Sequence, residues 1–329
     1  MTWSVDQADC LDWLNSQPED SADLVFGSGP YEDCRTYGIG FALKGQAWVD
    51  WMVAVFRASL RVCTGLVACV VEGKTEDFQY SCTPALLMAD LHRAGICLRK
   101  PPIFHRVGIP GSGGPDWLRN DWEWIICATR GGELPWSDNT ACGHAPKWAP
   151  GGEMSHRLTD GTKVNQWGGT HQVTGRNKHG EENNKGDRPS HILVKAGSNR
   201  RRLGTGKREL MGRRVTRGVK NGDTKTEDAY CPPAIANPGN VISLKVGGGL
   251  MGSKLAHLSE APFPESLVEV FVLSFCKPGG TIIDPFCGSG TSGAVAVKWG
   301  RNFRGCDIRQ SQVDNARRRI SGVTPMLFV

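Results

Sequence analysis

Residues 283–293 read Ile283-Asp-Pro-Phe-Cys-Gly-Ser-Gly-Thr-Ser-Gly293. The apolar residues Ile282 and Ile283 run into Asp-Pro, then into closely spaced glycines, then into small residues that open a helical pattern. The stretch therefore predicts strand, tight turn and helix start. Glycines at 288 and 290 let the backbone pass close to a ligand, and a helix N-terminus offers N–H groups to an anion. Seventeen residues after Gly290, Asp307 closes the next short strand, where a carboxylate can accept hydrogen bonds from both hydroxyls of a ribose. The expectation is a nucleoside-cofactor site in an α/β protein, drawing on Asp284, Phe286, Gly288, Gly290, Thr291 and Asp307.

Two cofactors compete for that site. Read literally, Gly288-x-Gly290-x-x-Gly293 satisfies the dinucleotide fingerprint, which makes an NAD-dependent oxidoreductase a rival. A dinucleotide fold expects a second mononucleotide half beyond Asp307, and little sequence follows. The acid and the aromatic just before the glycines, Asp284 and Phe286, favour S-adenosylmethionine instead.

Outward from the turn, α/β patterning extends both ways. Helices are expected at Glu265–Cys276, Ser292–Trp299 and Gln310–Ile320, with strands at Thr281–Pro285 and Phe303–Asp307. In the first 132 residues, strands are expected at Asp23–Gly27, Leu66–Glu72, Ile96–Phe104 and Trp122–Ala128. Helices are expected there at Trp48–Val62 and Pro84–Ala94. From about Glu133 to Pro238 the periodicity fades and Gly, Pro, Asn, Lys and Arg dominate. That length is too great for a simple connection, so a separate module or a functional insertion is expected.

Charge is concentrated in that middle zone. Between Lys195 and Lys220 stand ten Lys or Arg and one Glu, against a net charge of +6 for the whole chain, so the remainder is net acidic. Arg200, Arg201, Arg202, Lys207, Arg208, Arg213 and Arg214 alternate with small residues that let backbone approach phosphates, which points to nucleic acid as partner. Gly204-Thr-Gly-Lys-Arg208 lacks the spacing of a phosphate-binding P-loop. None of the twelve cysteines forms a C-x-x-C pair, and several sit in apolar runs. They read as small buried hydrophobes in a reducing compartment, with no metal centre. No basic n-region opens the chain and no apolar run is long enough to span a bilayer, so a cytoplasmic protein without a membrane partner is expected.

Directly after the Asp23–Gly27 strand comes Ser28-Gly29-Pro30-Tyr31. Strand tips are where open α/β sheets bind ligands. Ser28 Oγ and the Gly29 carbonyl can accept the hydrogens of an amino group, and Tyr31 can stack on a flat ring. Accepting those hydrogens frees the nitrogen lone pair of a base for attack on a methyl group, once the base has left its duplex. Taken alone, Gly and Pro fit an ordinary turn equally well.

Together these pieces resemble the amino-group DNA methyltransferases of the permuted β class, which make N4-methylcytosine or N6-methyladenine. Ser28-Gly-Pro-Tyr31 matches the catalytic motif, and Asp284-Pro-Phe-Cys-Gly-Ser-Gly-Thr291 the cofactor motif. Ala261-Pro-Phe-Pro264 is similar to the helix-start motif that helps hold the methionine part of the cofactor, and Asp9 sits where the family carries an acid near the adenine. The resemblance implies an α/β fold with a Rossmann-like methyltransferase sheet, circularly permuted, and an inserted target-recognition region. Residues 1–132 would be the catalytic half, 133–238 the recognition region and 239–329 the cofactor-binding half. The implied catalytic set is Ser28, Gly29, Pro30 and Tyr31. The implied cofactor set adds Asp9, Phe263 and Pro264 to the residues of the turn. Double-stranded DNA is the implied partner, and the oligomeric state, homodimer included, stays open. Ser28 favours cytosine N4, with adenine N6 the alternative. The family usually has Pro where this chain has Gly29, so a DNA-binding relative with impaired catalysis is a further alternative.

Overall fold

The computed structural model describes residues 1–32, 40–108, 116–144, 207–210, 213–216, 235–259 and 262–326, with the backbone alone for 207–210 and 213–216. They fall into two compact units, Met1–Cys142 with Asn237–Val329, and Gly143–Ala236.

In chain order the first unit carries β1 (Trp3–Gln7), α1 (Cys10–Ser16), β2 (Ala22–Gly27), α2 (Gly45–Val62) and β3 (Cys63–Val71). A hairpin of β4 (Thr75–Glu76) and β5 (Gln79–Tyr80) follows, then α3 (Thr83–Arg93), β6 (Cys97–Leu98), β7 (Ile103–Val107) and β8 (Trp122–Thr129). The second unit contains β9 (Lys207–Leu210) and β10 (Arg213–Thr216). The first unit resumes with β11 (Val241–Lys245), α4 (Glu265–Phe275), β12 (Thr281–Asp284), α5 (Thr291–Lys298), β13 (Asn302–Asp307) and α6 (Gln310–Ser321).

Nine strands of the first unit form one mixed sheet in the order β1-β13-β12-β2-β3-β8-β7-β11, with β6 on β8. Only β8 runs against its neighbours. The central strand β3 is almost continuously apolar because helices cover both faces of the sheet. The edge strand β11 alternates, with Ile242 and Leu244 on the core and Val241, Ser243 and Lys245 exposed. Successive residues of β2 serve opposite cores: Leu24 and Phe26 pack with Phe271 of α4 and Val295 of α5, while Val25 packs with Trp48 and Phe56 of α2. The result is three layers, helix on sheet on helix.

The single strand expected at Ile96–Phe104 is two, because Pro101 and Pro102 have no N–H for the ladder. Both pieces still lie on β8, Leu98 opposite Ala128 and Ile103 opposite Trp124. The other expected elements appear within a few residues of their ends. Among the described cysteines, Cys63, Cys69, Cys127, Cys276, Cys287 and Cys306 are buried and unbridged. Among the described residues no cluster could hold a metal ion, and no helix is long and apolar enough to cross a membrane.

In the second unit β9 and β10 pair antiparallel, Lys207 opposite Thr216 and Arg208 opposite Val215. His144 and Ala236 exchange N–H···O bonds of 3.1 and 2.8 Å, so the ends of this unit meet. Arg200, Arg201 and Arg202 lie outside the described residues, as do the side chains of Lys207, Arg208, Arg213 and Arg214.

Two features of the sheet position a site. From β12 the chain steps outward to β13, whereas from β2 it steps the opposite way to β3, so a crevice opens where β12 and β2 end side by side. A Cβ added to Gly27, the last residue of β2, would come within 2.4 Å of Asp284 Oδ1 at the end of β12. Gly27→Ala is therefore expected to destabilise the protein by about 1–3 kcal/mol through overpacking, read as a lower urea midpoint with unchanged m-value.

Candidate active site

A cleft of about 250 Å³ opens at the C-terminal ends of β1, β2, β12 and β13. Four parallel strands end there, so every residue that follows a strand is delivered to one rim. Ala8 and Asp9 follow β1, Ser28 and Gly29 follow β2, Phe286 and Gly288 follow β12, and Asp307 ends β13. Residues from opposite ends of the chain thereby share a wall.

In the turn after β12 the protein itself uses much of the hydrogen-bonding capacity. Asp307 Oδ2 accepts from Gly288 N–H at 3.1 Å and Oδ1 from Arg309 N–H at 2.9 Å, which sets the carboxylate across the turn. Gly288 has φ +48° and Gly290 φ +81°, both in the left-handed region that suits glycine. Gly290 is not part of the cleft wall. A Cβ there would meet Ala316 Cα at 2.8 Å, so its small size admits α6 rather than a ligand. Thr291 lines the cleft, but its hydroxyl accepts from Arg319 Nη1 at 2.8 Å.

Asp284 also differs from its expected place. It is 1% exposed, lies beneath the turn rather than in the cleft wall, and accepts from Phe286 N–H at 2.9 Å. Burial pushes its carboxyl up to about 7, against the hydrogen bond from Phe286 N–H that lowers it. Phe263 reaches the cleft and packs edge-on against Phe26 at 5.7 Å, while Pro264 caps α4 behind it. Asp9 lines the cleft and serves as N-cap of α1, accepting from Leu11 N–H at 2.8 Å. Ala261 lies outside the described residues.

The loop after β2 is held by its neighbours. Ser28 Oγ lies 3.2 Å from the Val70 carbonyl and 3.4 Å from Tyr31 Oη, and Trp48 Nε1 donates to the Pro30 carbonyl at 2.9 Å. Ser28, Gly29 and Pro30 line the cleft; Tyr31 does not. Its ring is buried and its hydroxyl donates to Glu123 Oε2 at 3.0 Å, so the stacking role expected from sequence is not what this geometry gives it. A Cβ at residue 29 would meet the Phe286 ring at 3.2 Å and Met52 Sδ at 3.5 Å, and the Gly29 N–H faces the Cys69 thiol. A Cβ here is crowded rather than excluded, since the Phe286 ring would have to give by a few tenths of an ångström.

Sequence reasoning missed the aromatic wall. Trp51 stands between Phe41 and Phe286, with ring centroids 5.2 and 5.7 Å away, and all three line the cleft. The exposed Ile308, directly after Asp307, was visible as an apolar residue at a strand end. Two thiols border the cleft: burial pushes Cys10 up to about 12, and burial with the charges of Asp284 and Asp307 pushes Cys287 well up. Both stay protonated and are poor nucleophiles. Trp122 and Trp124 are half-buried and meet edge-on at 5.1 Å, with Trp124 packed against the core.

Comparison with solved structures places this fold among methyltransferases. PvuII DNA methyltransferase, cytosine-N4-specific, superposes with a TM-score of 0.58 at 16% identity, over 98% of this chain and 89% of that one. A protein described as a DNA modification methylase from Thermus thermophilus, complexed with S-adenosyl-L-methionine, gives 0.50 at 18% identity, over 97% and 93%. The family model for N6/N4 methyltransferases, described as DNA methylase, matches residues 22–318, and the chain belongs to that family. Type II methyltransferase M.HinfI from Haemophilus influenzae is 42% identical over 72 residues, 22% of this chain, so the match spans only 20% of that relative's length. Membership displaces the dinucleotide reading of the glycine pattern.

The buried Asp284 makes a testable contribution to stability. Its folded value lies above the ordinary carboxylate range, so the native state binds the extra proton, and stability falls as pH rises from that range to about 7. Asp284→Asn cannot titrate and is expected to lose this decline, measured as unfolding midpoints across that window.

Proposed function

We propose that this chain is an S-adenosylmethionine-dependent DNA methyltransferase acting on the exocyclic amino group of a base turned into the cleft, with cytosine N4 the favoured acceptor. The observation that carries the reading is that one cleft is walled by Ser28, Gly29 and Pro30 on one side and by Phe286, Gly288 and Asp307 on the other. The acceptors for an amine and the groups for a nucleoside thus face a common space.

The lining suits this cofactor. Asp307 offers a carboxylate to ribose hydroxyls, and Ile308 and Phe263 offer apolar surface to the adenine and methionine parts. The faces of Phe41, Trp51 and Phe286 favour a sulfonium cation. When bound, S-adenosylmethionine supplies an electrophilic methyl group. The residues of the loop supply the rest. Ser28 donates its one proton to the Val70 carbonyl and keeps its oxygen lone pairs as acceptors. With the Gly29 carbonyl it accepts the two amine hydrogens, turning the nitrogen lone pair out of conjugation with the ring. Protonated Cys10 and Cys287 offer no covalent route, consistent with direct transfer. We read the sheet as entered in permuted order, with the catalytic strands first and the cofactor strands β12 and β13 last. The unit Gly143–Ala236, with its basic segment, is read as the element that holds double-stranded DNA.

The test is transfer of labelled methyl from S-adenosylmethionine to unmethylated genomic DNA, with nucleoside mass spectrometry of the digest. N4-methylcytosine is expected. N6-methyladenine would keep the family and change the base. No incorporation with the cofactor bound would favour an impaired relative. Asp307→Asn, which keeps an acceptor but loses the charge, is expected to weaken cofactor binding roughly tenfold by calorimetry, the scale of one charged hydrogen bond. Unchanged affinity would remove Asp307 from the site.

A further inference from the structure

Ser28, Pro30, Tyr31 and Glu32 lie in no regular element, yet each has a hydrogen-bond partner outside the loop. Ser28 reaches the Val70 carbonyl and the Pro30 carbonyl accepts from Trp48. Glu32, 2% exposed, accepts from Gly45 N–H at 3.0 Å, Lys74 N–H at 3.0 Å and Thr83 Oγ1 at 2.9 Å. Burial works to raise the Glu32 carboxyl, but donors from Ser81, Gly45, Lys74 and Thr83 hold it below its ordinary value. Between these anchors Tyr31 Oη stands 3.0 Å from Glu123 and 3.4 Å from Ser28 Oγ.

Glu123 is a carboxylate placed where a strand would ordinarily put an apolar residue. It lies on β8, 7% exposed, opposite Phe104 of β7. Arg106, two residues beyond Phe104, reaches its Oε1 at 3.0 Å, and Arg106 Nη2 donates to the Asn120 carbonyl at 3.1 Å. Burying such a pair costs desolvation that the attraction alone scarcely offsets, so it is weak as a stabilising device. Its geometry instead fixes one thing: the other carboxylate oxygen, Oε2, is held facing the Tyr31 hydroxyl.

We infer that Glu123, oriented by Arg106, is the positioning residue of the acceptor loop, fixing Tyr31 and with it the backbone that carries Ser28 and Gly29 at the cleft. This rests on the reading of Ser28 and Gly29 as the amine acceptors. Gly29 has neither ring nor Cβ to restrict its backbone, so the alignment of its carbonyl leans on what clamps its neighbours. The hydroxyl of Tyr31 is thereby given a role of its own, separate from the face of its ring.

Tyr31→Phe separates the two, since it removes the hydroxyl and keeps the ring. Two readouts are needed: the single-turnover rate of methyl transfer to duplex DNA with cofactor affinity measured alongside, and hydrogen exchange of the Ser28–Glu32 amides. Tyr31→Phe is expected to slow transfer roughly tenfold to a hundredfold, the range of one hydrogen bond to a charged group. Cofactor affinity should be unchanged, and exchange in the loop faster. Glu123→Gln keeps an acceptor for the hydroxyl and should retain most of the rate, while Glu123→Leu should match Tyr31→Phe. Unchanged loop exchange in Tyr31→Phe overturns the inference, as does an unchanged transfer rate. If the parent protein transfers no methyl yet Tyr31→Phe loosens the loop, the brace stands and the reading it serves falls.

Discussion

The site depends on the close approach of β12 and β2. Asp284 ends one strand and Gly27 the other, and the carboxylate fills the space a side chain at 27 would need. Because the two strands are parallel, both chains leave the sheet on the same side, and because their connections diverge, nothing of the sheet covers the gap between them. The buried carboxyl under the turn is costly when charged, and its hydrogen bond to Phe286 N–H fixes the aromatic that faces Gly29. One packing constraint therefore sets the width of the crevice and the position of an aromatic in its wall.

On either side of this junction, order is obtained by different means. The turn after β12 is closed by its own backbone and by Asp307, with glycines accepting the left-handed conformations and α6 packed against Gly290. The loop after β2 has no such internal scheme. It is held by side chains from β8, α2 and α3 and by backbone N–H groups of Gly45 and Lys74, so its shape belongs to the assembled domain. Buried polar networks of this kind are unforgiving, since a missing partner leaves a desolvated group behind.

The cleft is more apolar than a phosphate site. Its aromatic wall, protonated thiols and the strand-end carboxylates Asp9 and Asp307 suit a nucleoside carrying a compact positive centre better than a polyphosphate. In the sequence, the strong positive charge of the chain is concentrated between Lys195 and Lys220.

Strand–turn–helix at 281–298, the flanking helices and the long apolar strands were legible because their signals are local: periodicity, glycine spacing and Asp-Pro punctuation. The strands β1 and β11 were not, being five residues long with little buried surface of their own. The motif residues were legible as types, and Ser28, Gly29, Pro30, Asp9, Phe263, Phe286, Gly288, Thr291 and Asp307 do meet at one cleft. Their division of labour was not legible. That Tyr31 points inward to Glu123, that Asp284 packs against Gly27, and that Trp51 and Phe286 share a wall are long-range facts; the Tyr31–Glu123 bond alone links residues 92 positions apart. Local sequence encodes which backbone shape a segment prefers. Which side of a residue faces the cleft depends on strand order and register, and those are decided only when the whole sheet closes.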